Sequence, residues 1–240
     1  MYDRRIAGKE VTFGVSGKLH ANSLIMYDHQ TDSLWSHLVG AAITGAMKGE
    51  RLRPMQSMFT RWGTWIKLHP DSKVLSSGKR SLFGSVRDPY ESYYRSPDTG
   101  IIPPRQLDKR IYPKEFVLGV VLNDKAKAYP FSVLSRQSVV NDAFEEVPLL
   151  IVFDAETTTG TIFRRKLDGK TLAFRKTSKP EKKGFFLVDD ASRSLWEALA
   201  GTAVEGPMKG KKLEALPTTP SFWFGWADHY PETELFGLNR

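Results

Sequence analysis

The 240-residue chain has no cysteine. Disulfide bonds, thiolate metal sites and a cysteine nucleophile are therefore excluded, while the compartment is left open. Long hydrophobic runs are missing too. The longest, 116–122 and 149–153, fall far short of the ~20 residues that a membrane-spanning helix needs. Residues 1–20 lack a signal-peptide core, so a soluble protein is expected, with an extracytoplasmic location open if a leader has been lost or removed.

Charge of one sign is gathered in one short stretch only. Lys and Arg number 35 against 27 Asp and Glu, a net charge of +8, but the surplus is spread and residues 116–168 carry −1. A dedicated nucleic-acid binder concentrates its charge on one face, so no specific nucleic-acid partner is expected. The one dense clump is Arg175, Lys176, Lys179, Lys182 and Lys183, with Arg164, Arg165 and Lys166 near in sequence. It reads as a solvated basic loop with weak attraction for polyanions.

Aromatic residues are plentiful, with 6 Trp, 8 Tyr and 14 Phe. That is apolar area enough to offset ordering entropy in one large domain or two small ones. Much of it repeats. Sliding the chain over itself by 161 positions aligns residues 8–75 with 169–236, without gaps, at 19 identities in 68 positions. Average composition gives about four by chance. Trp35, Trp62 and Trp65 match Trp196, Trp223 and Trp226; Gly40, Gly45 and Gly49 match Gly201, Gly206 and Gly210; Asp28 and Ser33 match Asp189 and Ser194. A tandem duplication is expected.

Each copy reads as several short strands and one short helix. A hairpin turns at Asp168-Gly169-Lys170. Asp28 with Thr31, and Asp189 with Ser192, fit a turn whose carboxylate caps backbone N–H groups. Paired tryptophans three apart lie on one helix face, and Pro70 or Pro231 stops the helix. The fold class expected is α+β, mostly antiparallel β. Its organisation is a first unit at 1–76, a Pro/Tyr-rich connector at 77–115 that packs on the domains, and a second, complete unit at 116–240. The second unit gains strands at 116–122, 125–130 and 149–154 and a short helix near 131–137. Their counterparts in the first unit fall about 45 residues before Met1 by the same offset. Without them the first sheet should expose an edge or an apolar face, to be covered by the connector or a partner.

The chemistry is sparse. The run from Gly14 to Ser23 is small, polar and glycine-bounded, as a ligand-contacting loop would be, but it lacks phosphate-loop and nucleophile-elbow spacing. Ser16 and Asp28 with His20, His29 or His37 can be drawn as a triad. No HxH, HExxH or carboxylate-rich loop frames the histidines, so neither a metal site nor a cofactor is assigned. Catalytic candidates are Ser16, His20, Asp28 and His37; ligand-binding candidates are Gly14, Ser16, Gly17, Asn22 and Trp35.

The string GVSG…MYD..T.SLW, the segments WGTWIKLHPDSKVLS and RDPYESYY, and FVLGVVLNDKAKAYPF followed by VVND resemble the bacterial and archaeal family called domain of unknown function 3179. The resemblance covers nearly the whole chain and implies no activity. It implies a His-Glu pair ahead of a VND motif and a later Cys-Pro-Leu-Cys-like stretch, groups suited to metal or redox chemistry. The resemblance places them ahead of the GVSG string, and the first copy begins after that stretch; in the second copy the corresponding regions read SRQSVVND and LLIVFDAETTTG, with neither His nor Cys. Two functions follow as expectations: a non-catalytic ligand- or partner-binding protein, or a metal-assisted or hydrolytic enzyme with its pocket near Ser16, His20 and Asp28. Convergence of those side chains favours the enzyme; an Asp28 turned onto backbone N–H groups favours binding.

Overall fold

Short strands dominate because β-branched and aromatic residues alternate with polar ones between turns built on Gly, Asn and Asp. The structure is a computed structural model and describes residues 1–6, 8–75, 90–100, 102–105, 107–178 and 184–237. A small pair, β1 (Arg5–Ile6) and β2 (Lys9–Glu10), precedes a four-stranded antiparallel sheet of β3 (Phe13–His20), β4 (Ser23–Asp28), β5 (Leu34–Ser36) and β6 (Ala41–Thr44), in that spatial order. Helix α1 (Trp62–Leu68) follows, and α2 (Glu91–Arg95) lies in the connector.

The later half begins with the hairpin of β7 (Phe116–Leu122) and β8 (Lys125–Pro130). Its Asn123 and Asp124 both have positive φ, 51° and 61°, as a two-residue turn matched to strand twist requires. Then come α3 (Phe131–Arg136) and the antiparallel strands β9 (Val139–Phe144), β10 (Val147–Asp154) and β11 (Thr159–Arg164). The pair β12 (Lys166–Leu167) and β13 (Lys170–Thr171) leads to a second four-stranded sheet of β14 (Phe174–Thr177), β15 (Phe186–Asp189), β16 (Leu195–Glu197) and β17 (Thr202–Glu205). Last are β18 (Glu214–Ala215) on the edge of β11, β19 (Thr219–Phe222) on β7, helix α4 (Trp223–His229), and β20 (Glu234–Leu235) parallel to β8. The chain is thus strand-rich and mostly antiparallel, with a few short helices.

The two four-stranded sheets share strand order, and each has a register shift at the same place, between Leu34 and Trp35 and between Leu195 and Trp196. Phe13 meets Trp35 edge-on at 5.6 Å, and Phe174 meets Trp196 edge-on at 5.4 Å. The likeness reaches beyond the aligned segment: Tyr2 lies against Gly40 as Phe163 lies against Gly201. The helices match in length but not in burial. In α4, Trp223 and Trp226 are fully buried; α1 has no buried residue, and Trp62 is 50% exposed.

One apolar core lies between the β7–β8 sheet and β9–β10, and includes Leu118, Tyr129, Leu149 and Phe153. A second joins β10–β11 to the β14–β17 sheet around Leu150, Phe163 and Trp196. The first sheet has a smaller cluster of its own around Trp35 and Leu52. The described residues of 77–115 touch other elements: Asn22 Nδ2 donates to the Ile102 carbonyl at 2.5 Å, and the Tyr93 ring lies 6.3 Å from that of Phe222. Residues 76–89 of that region, with Ile101 and Gln106, are outside the described residues.

Candidate functional site

One turn of α1 aims Thr64, Lys67 and Leu68 to the same side, the spacing of neighbours on a helix face. They form one wall of a cleft of about 880 Å³, within the range of small-molecule sites. The opposite wall is the C-terminal end of α3, with Ser135 and Arg136, then Ser138 and the β10–β11 turn. Phe153, Phe185, Phe186 and Leu199 supply apolar surface, and Lys176 and Glu197 polar groups. The two second-copy stretches that correspond to the family's His- and Cys-bearing segment therefore meet here, as Ser135–Arg136 and as Asp154–Thr157. Neither imidazole nor thiolate lines the cleft.

The carboxylates are mostly committed to the backbone. Asp154 Oδ1 accepts the Glu156 N–H at 3.1 Å, and its other oxygen lies 2.7 Å from the Thr157 hydroxyl, which shapes the turn. Glu197 accepts the Ala200 N–H at 2.5 Å. Burial raises the Glu197 pKa, and the N–H groups of Ala200 and Leu199 oppose the rise. The cations are less occupied. Among the described residues Lys67, Arg136 and Lys176 form no ion pair, and Lys176 lies 5.2 Å over the Phe185 ring. A hydroxyl chain links the cleft residue Thr157 to the first half: Thr60 Oγ1 is 2.7 Å from Thr159 Oγ1, itself 2.8 Å from Thr157 Oγ1.

The residues singled out from sequence lie elsewhere. Asp28 is fully buried and accepts hydrogen bonds from the Thr31 N–H at 2.6 Å and the Trp35 indole N–H at 2.9 Å. Burial pushes its pKa up, but these bonds outweigh burial and hold it below the ordinary carboxylate value. Ser16 Oγ donates to the Ile25 carbonyl at 2.6 Å. His20 meets Arg105 at 2.8 Å and the ring of His229 at 5.8 Å, and His37 is an exposed residue just past β5. Among the described residues no hydrogen bond joins any two of Ser16, His20, Asp28 and His37.

Of the ligand-binding candidates, Trp35 is wholly inside the first core and offers a ligand no surface. Gly14 lies under the Tyr27 ring, Asn22 clamps the connector, and Gly17 sits in open space at φ 72° inside a bulged edge strand. The basic clump also divides. Arg164 pairs with Glu214 and Arg175 with Asp190, while Arg165 donates to the Leu149 and Leu172 carbonyls. Lys179, Lys182 and Lys183 are outside the described residues.

Lys67, Arg136 and Glu197 were not singled out from sequence, and Lys176 only as one member of the basic clump. The SRQS and DAET stretches were the available signal; nothing local ties them to α1. Among the described residues no group of three or more His, Cys, Asp or Glu could hold a metal ion, and no helix is long and apolar enough to cross a membrane. A family model described as "Protein of unknown function (DUF3179)" matches residues 1–233. No curated protein and no solved structure matches the chain.

Proposed function

The chain belongs to the DUF3179 family, a family of unknown function, and from its cleft we propose a non-catalytic binding protein for a small organic anion with an apolar body. One observation carries this: three cations without ion pairs among the described residues, Lys67, Arg136 and Lys176, line the same cleft as Phe153, Phe185 and Phe186, with Lys176 over the Phe185 ring, while Asp154 and Glu197 are turned onto backbone N–H groups. A carboxylate would complete the cations' hydrogen bonding, and the rings would take its apolar part.

The units at 1–76 and 116–240 are proposed to descend from one module copied in tandem, with 77–115 as connector. The 19 identities at a single offset support this, as do the paired ring contacts of Phe13 with Trp35 and Phe174 with Trp196. The enzyme alternative draws little support, since Ser16, His20, Asp28 and His37 each have other partners or none in common.

Calorimetric titration with phenylacetate and benzoate tests the reading. Saturable binding is expected, weakened about tenfold by Arg136→Gln or Lys176→Gln, as for loss of a charge-assisted hydrogen bond. Absence of binding by both acids, or binding indifferent to both substitutions, overturns it. So does stoichiometric metal retained by the purified protein.

A further inference from the structure

Helices α1 and α4 are built alike and covered differently. In each, the second tryptophan is fixed by the same bond: Trp65 Nε1 donates to Ser72 Oγ at 2.8 Å, and Trp226 Nε1 to Thr233 Oγ1 at 2.9 Å. Each also packs, tilted, against the ring four residues on, His69 at 4.2 Å and Tyr230 at 4.5 Å. Around α4 this aromatic face is closed by the β7–β8 hairpin. The Trp226 ring lies so close on Gly119 that a Cβ there would come within 2.2 Å of it. The chain after α4 then joins the same hairpin, Glu234 and Leu235 pairing with Lys127 and Ala128. Around α1 the counterparts are less covered: Trp65 is half-buried, Trp62 is 50% exposed, Val74 67% and Leu75 96%.

We propose that the α1 face, with residues 73–75, docks a β-hairpin of a partner protein that carries a glycine opposite Trp65 and an acidic residue opposite Lys73. The shape follows from α4, where this arrangement of helix, indole and trailing strand already holds a hairpin. The charge follows from the counterpart of Lys73. That residue is Glu234, whose carboxylate meets Lys127 of the hairpin at 3.4 Å; with lysine in its place the matching partner residue is acidic. A second copy of the chain does not fit. Its β7–β8 hairpin presents Lys127 and is covered on both faces, by α4 through Val117, Ala126 and Ala128 and by β9–β10 through Leu118 and Val120. Because Trp65 is held in place before docking, little ordering is left to oppose it.

The probe is a head-to-tail cyclised peptide of residues 116–130, made with the parent sequence and with Lys127→Glu, titrated into the full chain by tryptophan fluorescence. The Lys127→Glu peptide should bind saturably and about tenfold more tightly than the parent, as opposite charges replace like ones. The preference should reverse in the Lys73→Glu protein, and binding should weaken in Trp62→Ser, which alters only an exposed side chain. Failure of both peptides to bind, or a preference that ignores residue 73, overturns the proposal. Self-association of the chain abolished by Trp62→Ser would overturn it as well, by assigning the face to a second copy.

Discussion

Asp189 accepts the indole N–H of Trp196 at 3.0 Å, with both residues fully buried. The same carboxylate accepts the N–H of Ser192 at 2.5 Å and of Ser194 at 3.0 Å, so one ionised side chain closes a turn and anchors a core tryptophan. Asp28 and Trp35 repeat the arrangement in the first sheet. Asp189→Ala would leave the Trp196 N–H and two backbone donors without their acceptor. A loss of about 2–4 kcal/mol is expected, given 1.5–3 for a hydrogen bond to a charged group plus the desolvation of stranded donors. Urea unfolding measures it, and Asp28→Ala should cost a comparable amount.

Acid should remove the same contribution. Burial raises the pKa of Asp28 and Asp189, but their hydrogen bonds win and the folded values lie below the ordinary one. For a carboxylate depressed on folding, stability is fully present above the unfolded pKa, about 3.9, and is lost as pH falls through the folded pKa. Unfolding free energy should therefore fall below about pH 4. The acid limb should be flatter in Asp28→Asn/Asp189→Asn, measured by urea titrations at each pH.

His229 sets a second limb nearer neutrality. Its Nδ1 is 2.8 Å from the Gly225 carbonyl, and its Nε2 is buried without a partner among the described residues. Burial lowers its pKa, the Gly225 carbonyl opposes, and the neighbouring His20 adds to the lowering. Stability is then present above the unfolded value of about 6.5 and declines as pH falls through the lower folded value. The melting temperature should drop as pH falls below about 6.5, and the drop should be smaller in His229→Gln.

Two glycines separate packing from propensity. At Gly119 a methyl group would strike the Trp226 ring, so Gly119→Ala should cost about 1–3 kcal/mol through overpacking. At Gly63, in α1, nothing lies within 4 Å of the added carbon. Gly63→Ala should instead stabilise by up to about 1 kcal/mol, the helix-propensity gain. Chemical denaturation of both variants checks the opposite signs.

The local elements were readable in the residues. The hairpin at Asp168-Gly169 forms with both φ values positive, 49° and 78°. Helices α1 and α4 start at the first tryptophan of each pair and end before the proline. The Asp28 and Asp189 turns close on Thr31 and Ser192 as their spacing implied. These features depend on φ preferences and on hydrogen bonds a few residues long. The place of Trp35 was not readable in that way: alternation in a three-residue strand does not say which face is inside, and a residue offered as a ligand contact became core.

What the chain alone settled was a cysteine-free, aromatic-rich sequence whose turns and tryptophans recur at an offset of 161, and hence a strand-rich, mostly antiparallel protein. Tertiary structure decided which surfaces those strands and helices cover. The cleft draws Lys67, Arg136, Asp154, Lys176 and Glu197 from five separated segments, and Trp62 and Trp223 occupy equivalent helix positions with opposite burial. Sequence acts on its neighbours through backbone geometry, whereas burial depends on which distant element arrives, and the β7–β8 hairpin reaches only α4.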